Sequence, residues 1–556
     1  MRALLFDELP RDIEGMKTAS SGTPVFGASV YLANVTKALV DYGTYDNYYF
    51  LSRTDYSTID CHPHLGDGGN GRVETLTMAT IDKVRKHDEV VFMTCGPGLH
   101  TMLPVRSYLN KEHCPIVGVT HSLHSVALLP WLLVLLLSEL QPHDAVMCTS
   151  AAGRRVLENI FSLLNNALEC SLGARRTALL QLPVIPIGVR VNSLPSADKQ
   201  AARQYLSLSQ DAVVLLYFGR FSATNKCDLA PLLLTFGRSL KSTNIILILA
   251  GDDTQHKMAG ALEKLAGELA CGDRLHVFPN PDYVQKQYLF SAADIFVSPS
   301  DNVQETFGIT IAEAMTAGLP VVASDWNGYR ELVVHGETGF LVPTYLPRLQ
   351  VTNEMAMSGI RLDDGTLAQT TVVDLAALER YLRLLIGNRE LRATMGRSGR
   401  ERALRCFDWK VIIKQYEELW NSLLEKGSSL KETTECSRYI HGFASYSYLS
   451  VFGHYPTGVL ADQDMLQLSP GGKRWLTGDR ASSLESSDIG FNVELSRAIA
   501  LCLNQCGSQT IGGLLSTLSN ELEKEIPVRL NLARLIKYGL VKLHRSQIEA
   551  PGKTLP

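Results

Sequence analysis

Residues 293–325 read ADIFVSPSDNVQETFGITIAEAMTAGLPVVASD, and the fold class can be predicted from this stretch outward. Two apolar runs, DIFVS and PVVAS, have the length of buried strands, and the spacing between them predicts a helix over residues 309–317. Gly318 and Pro320 end that helix, because glycine accepts the left-handed conformation of a helix end and proline cannot continue a helix. A strand, a helix and a second strand in this order are typical of a parallel sheet.

The same alternation of apolar runs and helical patterns extends in both directions from this stretch. It forms one series over residues 1–190, with runs such as ALLF and EVVFMT, and a second over residues 191–405, with runs such as AVVLLYFGR and NIILILAGDD. Each series predicts a doubly wound parallel sheet with helices on both faces. The predicted fold class is therefore α/β, with two facing Rossmann-like domains and a deep cleft between them.

The chain continues past these domains with three further segments. Residues 406–426 show helical periodicity, and residues 427–490 combine a linker, GSSLKETTECS, with an aromatic, strand-like part. Residues 491–548 contain three helical patterns and predict a small, mainly α-helical accessory domain.

Composition and charge indicate a globular protein of several domains and argue against some kinds of partner. Of the 556 residues, 20% are charged and 45% are hydrophobic, as in globular proteins of several domains. The net charge of −4 argues against nucleic acid as a partner, because proteins that bind nucleic acid carry a basic excess. Eleven scattered cysteines, and acids where a signal peptide has a basic lead, predict reduced thiols and a cytoplasmic location.

The most apolar run is VALLPWLLVLLLSEL at residues 126–140. Pro130 interrupts it, and it is shorter than the ~20 residues that a membrane-spanning helix needs. We predict a buried helix and no transmembrane segment. The alternative is an apolar patch that faces a membrane or a hydrophobic acceptor, which would place the protein at the membrane periphery.

Two acidic residues flank the turn between the first strand and the helix of the opening stretch. Ligands of doubly wound sheets bind beyond the carboxyl ends of the strands, where Glu305 lies ahead of the helix and Glu313 about one turn inside it. A carboxylate can accept hydrogen bonds from two adjacent hydroxyls, so Glu305 suits a sugar and Glu313 a ribose. We expect Thr306, Phe307 and Gly308 to offer free backbone N–H groups at the positive end of the helix.

Two other interpretations of the acidic pair stay open at this point. In the structural one, Glu313 is a solvated helix residue and Glu305 is a cap. In the catalytic one, the acids form the carboxylate pair of a glycosidase, which would need acids on opposite sides of the substrate rather than along one wall.

A second polar loop follows an apolar strand in the sequence YFGRFSATNKCD. It places Arg220 directly after Gly219 and Lys226 six residues later, with small polar residues between them. Two cations on one strand-end loop can neutralise a diphosphate and stabilise it as a leaving group, where negative charge develops when a glycosyl bond breaks. Solvation at the surface is the alternative for each cation.

Together these motifs resemble the donor half of glycosyltransferase family 4, whose members are retaining enzymes of the GT-B fold. The resemblance rests on Arg220 and Lys226, on the two glutamates eight residues apart, and on the segments EAMTAGLPVVASD and GETGFLVP. It covers residues 2–426 and is strongest over residues 213–343.

The resemblance implies a role for each motif residue. Arg220 and Lys226 would bind the donor diphosphate, Glu305 the donor sugar, and Glu313 the nucleotide ribose. The remaining residues of the implied donor site are Gly219, Thr306, Phe307 and Gly308.

The resemblance also implies site residues in the first domain. Gly27, in PVFGASVYLANVTKAL, is the counterpart of a glycine-rich loop, although this sequence has one glycine where the family often has two. A family histidine beside the transferred sugar follows an inner strand, where VGVTHSLHS offers His121 and, further on, His124. We expect His121 to be catalytic because it comes directly off the strand, and a structural role is the alternative. The helix at 406–426 would cross back to the first domain.

The family mechanism is front-face substitution, in which the departing phosphate helps to remove the proton of the acceptor. It implies a hexosyltransferase that retains the anomeric configuration, with charge stabilisation by Arg220 and Lys226 as the main source of catalysis. We expect neither a metal nor a cofactor in this arrangement, with the nucleotide sugar as co-substrate.

The last segment resembles, more loosely, a winged-helix domain, a fold that binds DNA through a basic helix. Acids in the same segment dilute its basic residues, which are Arg529, Arg534, Lys537, Lys542 and Arg545. We therefore interpret this segment as a module that docks a protein partner or the acceptor.

Two functions of different class remain. The first is a glycosyltransferase that uses a nucleotide-sugar donor and an unknown glycan, lipid-linked or other acceptor. The second is a nucleotide-sugar sensor that regulates through the C-terminal module without transfer. Arg220, Lys226, Glu305 and His121 together favour the enzyme, because a sensor does not need leaving-group cations and a histidine beside the sugar.

Overall fold

The computed structural model of the chain divides into two compact units, Met1–Ala444 and Ser445–Pro556, each of which is described by itself. The residues that the structure describes are 1–7, 27–52, 72–125, 128–175, 180–190, 198–241, 244–346, 364–429, 460–478, 492–518 and 522–544.

The first lobe of the larger unit is a six-stranded sheet in the order β3-β2-β1-β4-β5-β6. All of its strand pairs are parallel. Its strands are β1 (Arg2–Phe6), β2 (Asn47–Leu51), β3 (Val73–Leu76), β4 (Glu89–Thr94), β5 (Ile116–Val119) and β6 (Ala145–Met147). Its helices are α1 (Gly27–Tyr42), α2 (Leu103–Tyr108), α3 (Leu128–Leu137) and α4 (Ala151–Leu172), with 3₁₀ turns at Ile81–Lys86 and Leu99–Thr101.

The second lobe is a parallel six-stranded sheet in the order β12-β11-β10-β7-β8-β9. Its strands are β7 (Val213–Phe218), β8 (Ile245–Gly251), β9 (Leu275–Pro279), β10 (Ile295–Ser298), β11 (Val321–Ser324) and β12 (Gly339–Val342). Its helices are α5 (Lys199–Tyr205), α6 (Ala230–Ser239), α7 (Ala259–Glu268), α8 (Tyr283–Ala292), α9 (Ile309–Thr316) and α10 (Tyr329–Leu332), with a 3₁₀ turn at Gly272–Arg274. A short hairpin, β13 (Thr344–Tyr345) with β14 (Val372–Val373), and the helices α11 (Asp364–Thr370), α12 (Leu375–Gly387) and α13 (Arg389–Cys406) complete it.

The two sheets have the same topology. Counted from the first strand of each lobe, both read 3-2-1-4-5-6 across the sheet. In this order the connections turn in opposite directions after the first and fourth strands, and a ligand crevice opens between the loops that follow them. The predicted α/β fold class is confirmed, and the opening stretch forms the predicted strand, helix and strand.

The last helix of this unit, α14 (Trp409–Ser428), packs against the first lobe. The hydroxyl of Tyr416 lies 3.2 Å from that of Tyr31 on α1, and Glu417 accepts a 2.6 Å hydrogen bond from the backbone N–H of Thr44. Trp409 and Trp420, which both belong to this helix, are almost fully buried. These contacts fix the helix against the first lobe.

The smaller unit is built around an antiparallel three-stranded sheet in the order β16-β15-β17. Its elements are β15 (Met465–Leu468), α15 (Pro470–Leu476), α16 (Val493–Cys506), β16 (Ser508–Thr510), α17 (Ile511–Leu518), α18 (Leu522–Lys537) and β17 (Val541–His544). The winged-helix resemblance of this unit stays a prediction. The linker GSSLKETTECS is predicted to start at Gly427, but α14 continues through Ser428, so the start of the predicted linker is helical. The rest of the linker from residue 430, and the aromatic segment as far as residue 459, lie outside the described residues.

Candidate functional site

The candidate site lies where the loops after β7 and β10 meet, at the crevice that the strand order predicts. Lys226, on the first loop, forms an ion pair with Glu305, on the second, through its ammonium and the carboxylate Oε2. The side chains are only 20% and 15% exposed. The second loop also holds the backbone of the first, because Ser300 Oγ donates a 2.8 Å hydrogen bond to the carbonyl of Lys226.

The two partners keep each other ionised. Burial alone would lower the pKa of Lys226, but the charge of Glu305 raises that pKa well above its ordinary value. Burial would likewise raise the pKa of Glu305, but the Lys226 ammonium and the N–H groups of Phe307 and Thr306 hold it below its ordinary value. The site therefore contains a fixed cation and a fixed anion side by side.

The turn after Glu305 differs from the sequence-based expectation. The N–H groups of Thr306 and Phe307 each donate a 3.2 Å hydrogen bond to Glu305 Oε1, so the prediction that they are free is wrong. The Phe307 ring is buried and packs edge-on against Phe407, with ring centroids 5.9 Å apart. One oxygen of Glu305 therefore caps its own turn, as in the structural interpretation, while the other pairs with Lys226 at the strand end.

Gly308 follows this turn and begins α9. Its φ of +108° is in the left-handed region, and a Cβ there would lie 2.6 Å from the Tyr329 ring. Only glycine fits this position without strain, and the tight packing fixes the direction in which the Glu305 turn enters the helix.

Arg220 lies on the same loop as Lys226. The positive charge of Arg220 lowers the pKa of Lys226, whereas the negative charge of Glu305 raises it. Arg220 is therefore close enough to Lys226 for the two cations to interact. Its carbonyl accepts a 3.2 Å hydrogen bond from the hydroxyl of Tyr217. Gly219, directly before it, is required by space, because a Cβ there would lie 2.8 Å from that hydroxyl.

Glu313 lies inside α9 and is not a solvated helix residue. Its Oε1 accepts a 2.6 Å charged hydrogen bond from Lys286 on α8, and its side chain is 22% exposed. Its Oε2 is buried and has no hydrogen-bond partner among the described residues. The Lys286 ammonium also lies over the Phe218 ring, 5.2 Å from its centroid, next to the Gly219 loop. Sequence reasoning missed Lys286, because nothing in its local pattern marks it.

In the first lobe, the structure places His121 two residues past β5. Its ring packs on Tyr31, with centroids 4.8 Å apart, and burial lowers its pKa to about 4, partly opposed by a hydrogen bond with the backbone of Cys95. Its Nε2 has no hydrogen-bond partner in the described part of the chain. His121 is therefore neutral at neutral pH, with one ring nitrogen available.

The other first-lobe predictions are placed only in part. Gly27 is the first residue of α1, and the loop before it lies outside the described residues. His124 is partly buried, three residues beyond His121.

A direct contact between the lobes adjoins the site, and sequence reasoning missed it. Ser150 Oγ donates a 2.6 Å hydrogen bond to the carbonyl of Thr306, and the hydroxyls of Thr149 and Thr306 lie 3.3 Å apart. Glu331, on α10, accepts a 2.7 Å hydrogen bond from the N–H of Ala151. The only sequence signal is Ser150 as a helix N-cap, which accepts from the N–H of Gly153.

The apolar helix α3 is buried on one face only. Leu132, Leu135 and Leu136 are buried, whereas Trp131 is 55% exposed and stacks on His100. Across the part of the chain that the structure describes, no helix combines the length and the hydropathy needed to cross a membrane. Within the same residues, no cluster of three or more His, Cys, Asp or Glu side chains is arranged to bind a metal ion.

In the smaller unit, the predicted basic helix is partly neutralised. Arg529 forms ion pairs with Asp462, at 2.7 Å, and with Glu525, and Arg545 lies outside the described residues. This pairing reduces the positive charge that a nucleic-acid surface would need.

Comparison with known proteins finds a family match within the second lobe. The family model described as "Glycosyl transferases group 1" matches residues 198–351, which include both loops of the candidate site. Residues 198–351, called the group 1 domain below, are thus similar to this family. The family resemblance predicted from the sequence is thereby confirmed for the donor half, whereas the winged-helix resemblance is not.

Curated relatives of the group 1 domain carry glycosyltransferase names. The chain is 28% identical over 251 residues to the D-inositol 3-phosphate glycosyltransferase of Streptomyces avermitilis, covering 44% of this chain and 47% of the relative. It is 34% identical over 204 residues to the protein of the same name from Geodermatophilus obscurus, covering 34% and 45%. It is 28% identical over 252 residues to the phosphatidyl-myo-inositol mannosyltransferase of Mycobacterium leprae, covering 44% and 55%. The chain thus spans about half the length of these relatives.

Solved structures support the fold beyond the group 1 domain. The Anabaena protein HepE in complex with UDP aligns with a TM-score of 0.51 and 20% identity, covering 76% of this chain and 100% of HepE. A glycosyltransferase from Rickettsia africae aligns with a TM-score of 0.51 and 15% identity, covering 76% and 99%. At these identities the similarity shows the fold alone, which is the two-lobed GT-B fold.

Proposed function

We propose that the chain is a retaining glycosyltransferase that moves a hexose from a nucleoside diphosphate to an acceptor hydroxyl. The observation that carries this proposal is the buried Lys226–Glu305 pair at the crevice of a group 1 domain, with Arg220 on the same loop. An ionised lysine and an ionised glutamate in contact suit a ligand that itself joins a phosphate to a polyhydroxyl ring.

In this proposal the donor spans the ion pair. Lys226 and Arg220 bind the diphosphate and stabilise the charge that develops on it as the glycosyl bond breaks. Glu305 accepts hydrogen bonds from sugar hydroxyls, and the turn through Thr306 and Phe307 holds its carboxylate in place. The Anabaena protein HepE, whose fold this chain shares, binds UDP in its crystal structure, which supports a nucleoside diphosphate donor.

The nucleoside part would bind beside α9. Glu313 accepts a hydrogen bond from a ribose hydroxyl through Oε2, the oxygen without a partner among the described residues, while Lys286 holds Oε1. The donor-binding set is then completed by the backbone near Gly219 and Gly308.

The proposed reaction is a front-face substitution. The bond between the anomeric carbon and the phosphate oxygen breaks, and a bond from that carbon to the acceptor oxygen forms on the same face, so the configuration is retained. The departing phosphate takes the acceptor proton. His121 is neutral, because burial lowers its pKa to about 4, so its free ring nitrogen can hydrogen-bond the transferred sugar without placing a second positive charge beside it. We propose that neither a metal nor a cofactor takes part.

The same proposal covers location and partners. All nine cysteines in the described part of the chain are free thiols, which supports a reducing, cytoplasmic environment. The neutralised charge of Arg529 supports a protein or an acceptor, rather than nucleic acid, as the partner of the smaller unit.

Two assays test the proposed function in sequence. A thermal-shift panel of UDP-, GDP- and ADP-sugars identifies the donor, because a ligand that binds the native state raises the midpoint. The selected donor, radiolabelled in its sugar, is then incubated with wild type, Lys226→Ala and Glu305→Ala. Lys83→Ala, which removes an exposed ion pair with Glu74 in the first lobe, is the matched control.

We expect hydrolysis or transfer by wild type and by the control, and none above background by the two site variants. Tight donor binding without turnover, under every acceptor offered, would favour the nucleotide-sugar sensor instead.

A further inference from the structure

The start of α4 is held by a residue of the opposite lobe. This helix is 22 residues long, and its first N–H groups carry the positive end of the helix dipole. Glu331 Oε1, from the second lobe, accepts from the N–H groups of Ala151 and Ala152 at 2.7 and 3.4 Å. A carboxylate at this position is favourably placed both as an acceptor and as a negative charge.

Glu331 is itself anchored within its own lobe. Arg402, on α13, donates a 2.7 Å hydrogen bond to the carbonyl of Glu331 and a 3.0 Å hydrogen bond to that of Leu332. The contact with α4 therefore joins the framework of one lobe to the framework of the other, rather than two loose side chains.

Further hydrogen bonds, made by residues that neighbour this contact in the chain, reach both halves of the candidate site. The N–H of Thr149 donates to the hydroxyl of Thr120, at 3.0 Å, and Thr120 directly precedes His121. Thr149 and Ser150 contact Thr306, whose own N–H donates to Glu305. Thr306 thus lies between the segment of His121 and the carboxylate of Glu305.

We propose that Ser150, Thr306 and Glu331 form an interlobe clamp that sets the distance between the His121 segment and the Glu305 turn. Glu331 and Ser150 are positioning residues, because they act through α4 and Thr306 rather than on the substrate. The clamp itself is independent of the proposed function, whereas its effect on sugar transfer rests on that function.

The geometric test measures the distance between the lobes directly. Spin labels are incorporated through an unnatural amino acid at Leu163 on α4 and Leu384 on α12, which are 61% and 45% exposed. Electron–electron double resonance on the full chain then compares wild type with Glu331→Ala, Glu331→Gln and Ser150→Ala. Glu337→Gln, at an exposed acid of the same lobe, is the matched control for the loss of charge.

The clamp predicts a longer and broader distance distribution in Glu331→Ala and Ser150→Ala. Glu331→Gln should stay near wild type, because its amide oxygen still accepts from Ala151, and Glu337→Gln should be unchanged. An unchanged distribution in Glu331→Ala, with only a lower thermal midpoint, would show that Glu331 merely caps α4 and would overturn the clamp.

The functional test separates the clamp from the site. Glu331→Ala should lower kcat/KM for transfer roughly tenfold, the equivalent of about 1.4 kcal/mol, while donor Kd changes less than twofold. Glu331→Gln should recover most of the loss. Equal weakening of donor binding and transfer would contradict positioning, whereas a chain without any transfer activity would refute the proposed function and leave the distance measurement to decide the clamp.

Discussion

The two lobes share one strand order but differ in the chemistry at their strand ends. The second lobe carries two partly buried ion pairs there, Lys226 with Glu305 and Lys286 with Glu313. At the corresponding edge of the first lobe, the described residues include a neutral imidazole, His121, and the hydroxyls of Thr120 and Thr149. One strand order therefore carries fixed ion pairs at the strand ends of one lobe, and an imidazole with neighbouring hydroxyls at those of the other.

The largest expected effect comes from removing the ammonium group of Lys226 in the second lobe. Lys226→Ala should lower kcat by about 10²–10³-fold, because it removes a donor aimed at developing charge. It should also lower the free energy of unfolding by about 2–3 kcal/mol, since it leaves Glu305 partly buried without its partner. Radiolabel transfer and urea denaturation measure the two effects.

The control for this prediction is Lys83→Ala, which should change both quantities little, as its ion pair is exposed.

The pH dependence of folding stability is a further test that Lys226 and Glu305 are both ionised. Lys226 has a raised pKa and Glu305 a lowered one, so their mutual stabilisation is fully present between the ordinary values of 4.5 and 10.5. It should fade only as the pH falls below 4.5 or rises above 10.5. A stability difference that changed steadily between pH 6 and 9 would contradict an ionised pair.

The second effect tests whether the backbone turn before α9, in the second lobe, requires glycine at position 308. Gly308→Ala should cost about 3 kcal/mol of folding stability, because the new Cβ meets the Tyr329 ring at 2.6 Å in a left-handed residue. Gly318→Ala should cost only about 1 kcal/mol, since its φ of +75° is equally left-handed but the nearest atom lies at 3.9 Å. Chemical denaturation of both variants measures the difference, and equal costs would show that packing against Tyr329 is unimportant.

The third effect tests whether the buried His121 ring of the first lobe is neutral. Burial lowers the pKa of His121 to about 4 from 6.5, so between these values the unfolded chain binds a proton that the folded chain does not. Folding stability therefore falls as the pH drops through this range. Wild type should lose about 2 kcal/mol more than His121→Gln between pH 7 and pH 5, measured by urea denaturation. A larger loss in the variant would mean that His121 is protonated in the folded chain.

The smallest effect concerns the pairing of Lys286 with Glu313 in the second lobe, where we propose that the ribose binds. Lys286→Met should weaken nucleotide binding only about three- to tenfold, because it frees Glu313 rather than removing it. Glu313→Gln should weaken binding more than Lys286→Met does, as the amide offers one acceptor in place of two. Isothermal titration with the nucleoside diphosphate compares them, and Lys264→Met, in an exposed ion pair with Glu268, is the control.

The fold and part of the site could be predicted from the sequence because both depend on local pattern. Apolar runs separated by helical spacing predicted the two sheets, and the loops after β7 and β10 carried their charges directly after those strands. The pairing of Lys286 with Glu313 joins separate helices 27 residues apart, and the Ser150–Thr306 contact joins lobes 156 residues apart. Such contacts depend on how distant elements pack together. The spacing of residues along a single strand or helix does not predict that packing.

The turn at Glu305 shows the same limit at short range. Its position at a strand end was predictable, but the expected free N–H groups of Thr306 and Phe307 are bound by the neighbouring carboxylate. Helix polarity alone predicted donors for a ligand. The short reach of the Glu305 side chain back to its own turn decided the outcome.

The most direct test of the central claim is a calorimetric titration with a nucleoside diphosphate and with the matching nucleotide sugar, using wild type, Lys226→Ala and Glu305→Ala. If the ion pair holds one donor, Lys226→Ala weakens both ligands by at least about tenfold, because both carry the diphosphate. Glu305→Ala then abolishes only the additional affinity that the sugar provides. Wild-type affinity of either variant for the nucleotide sugar would contradict the claim.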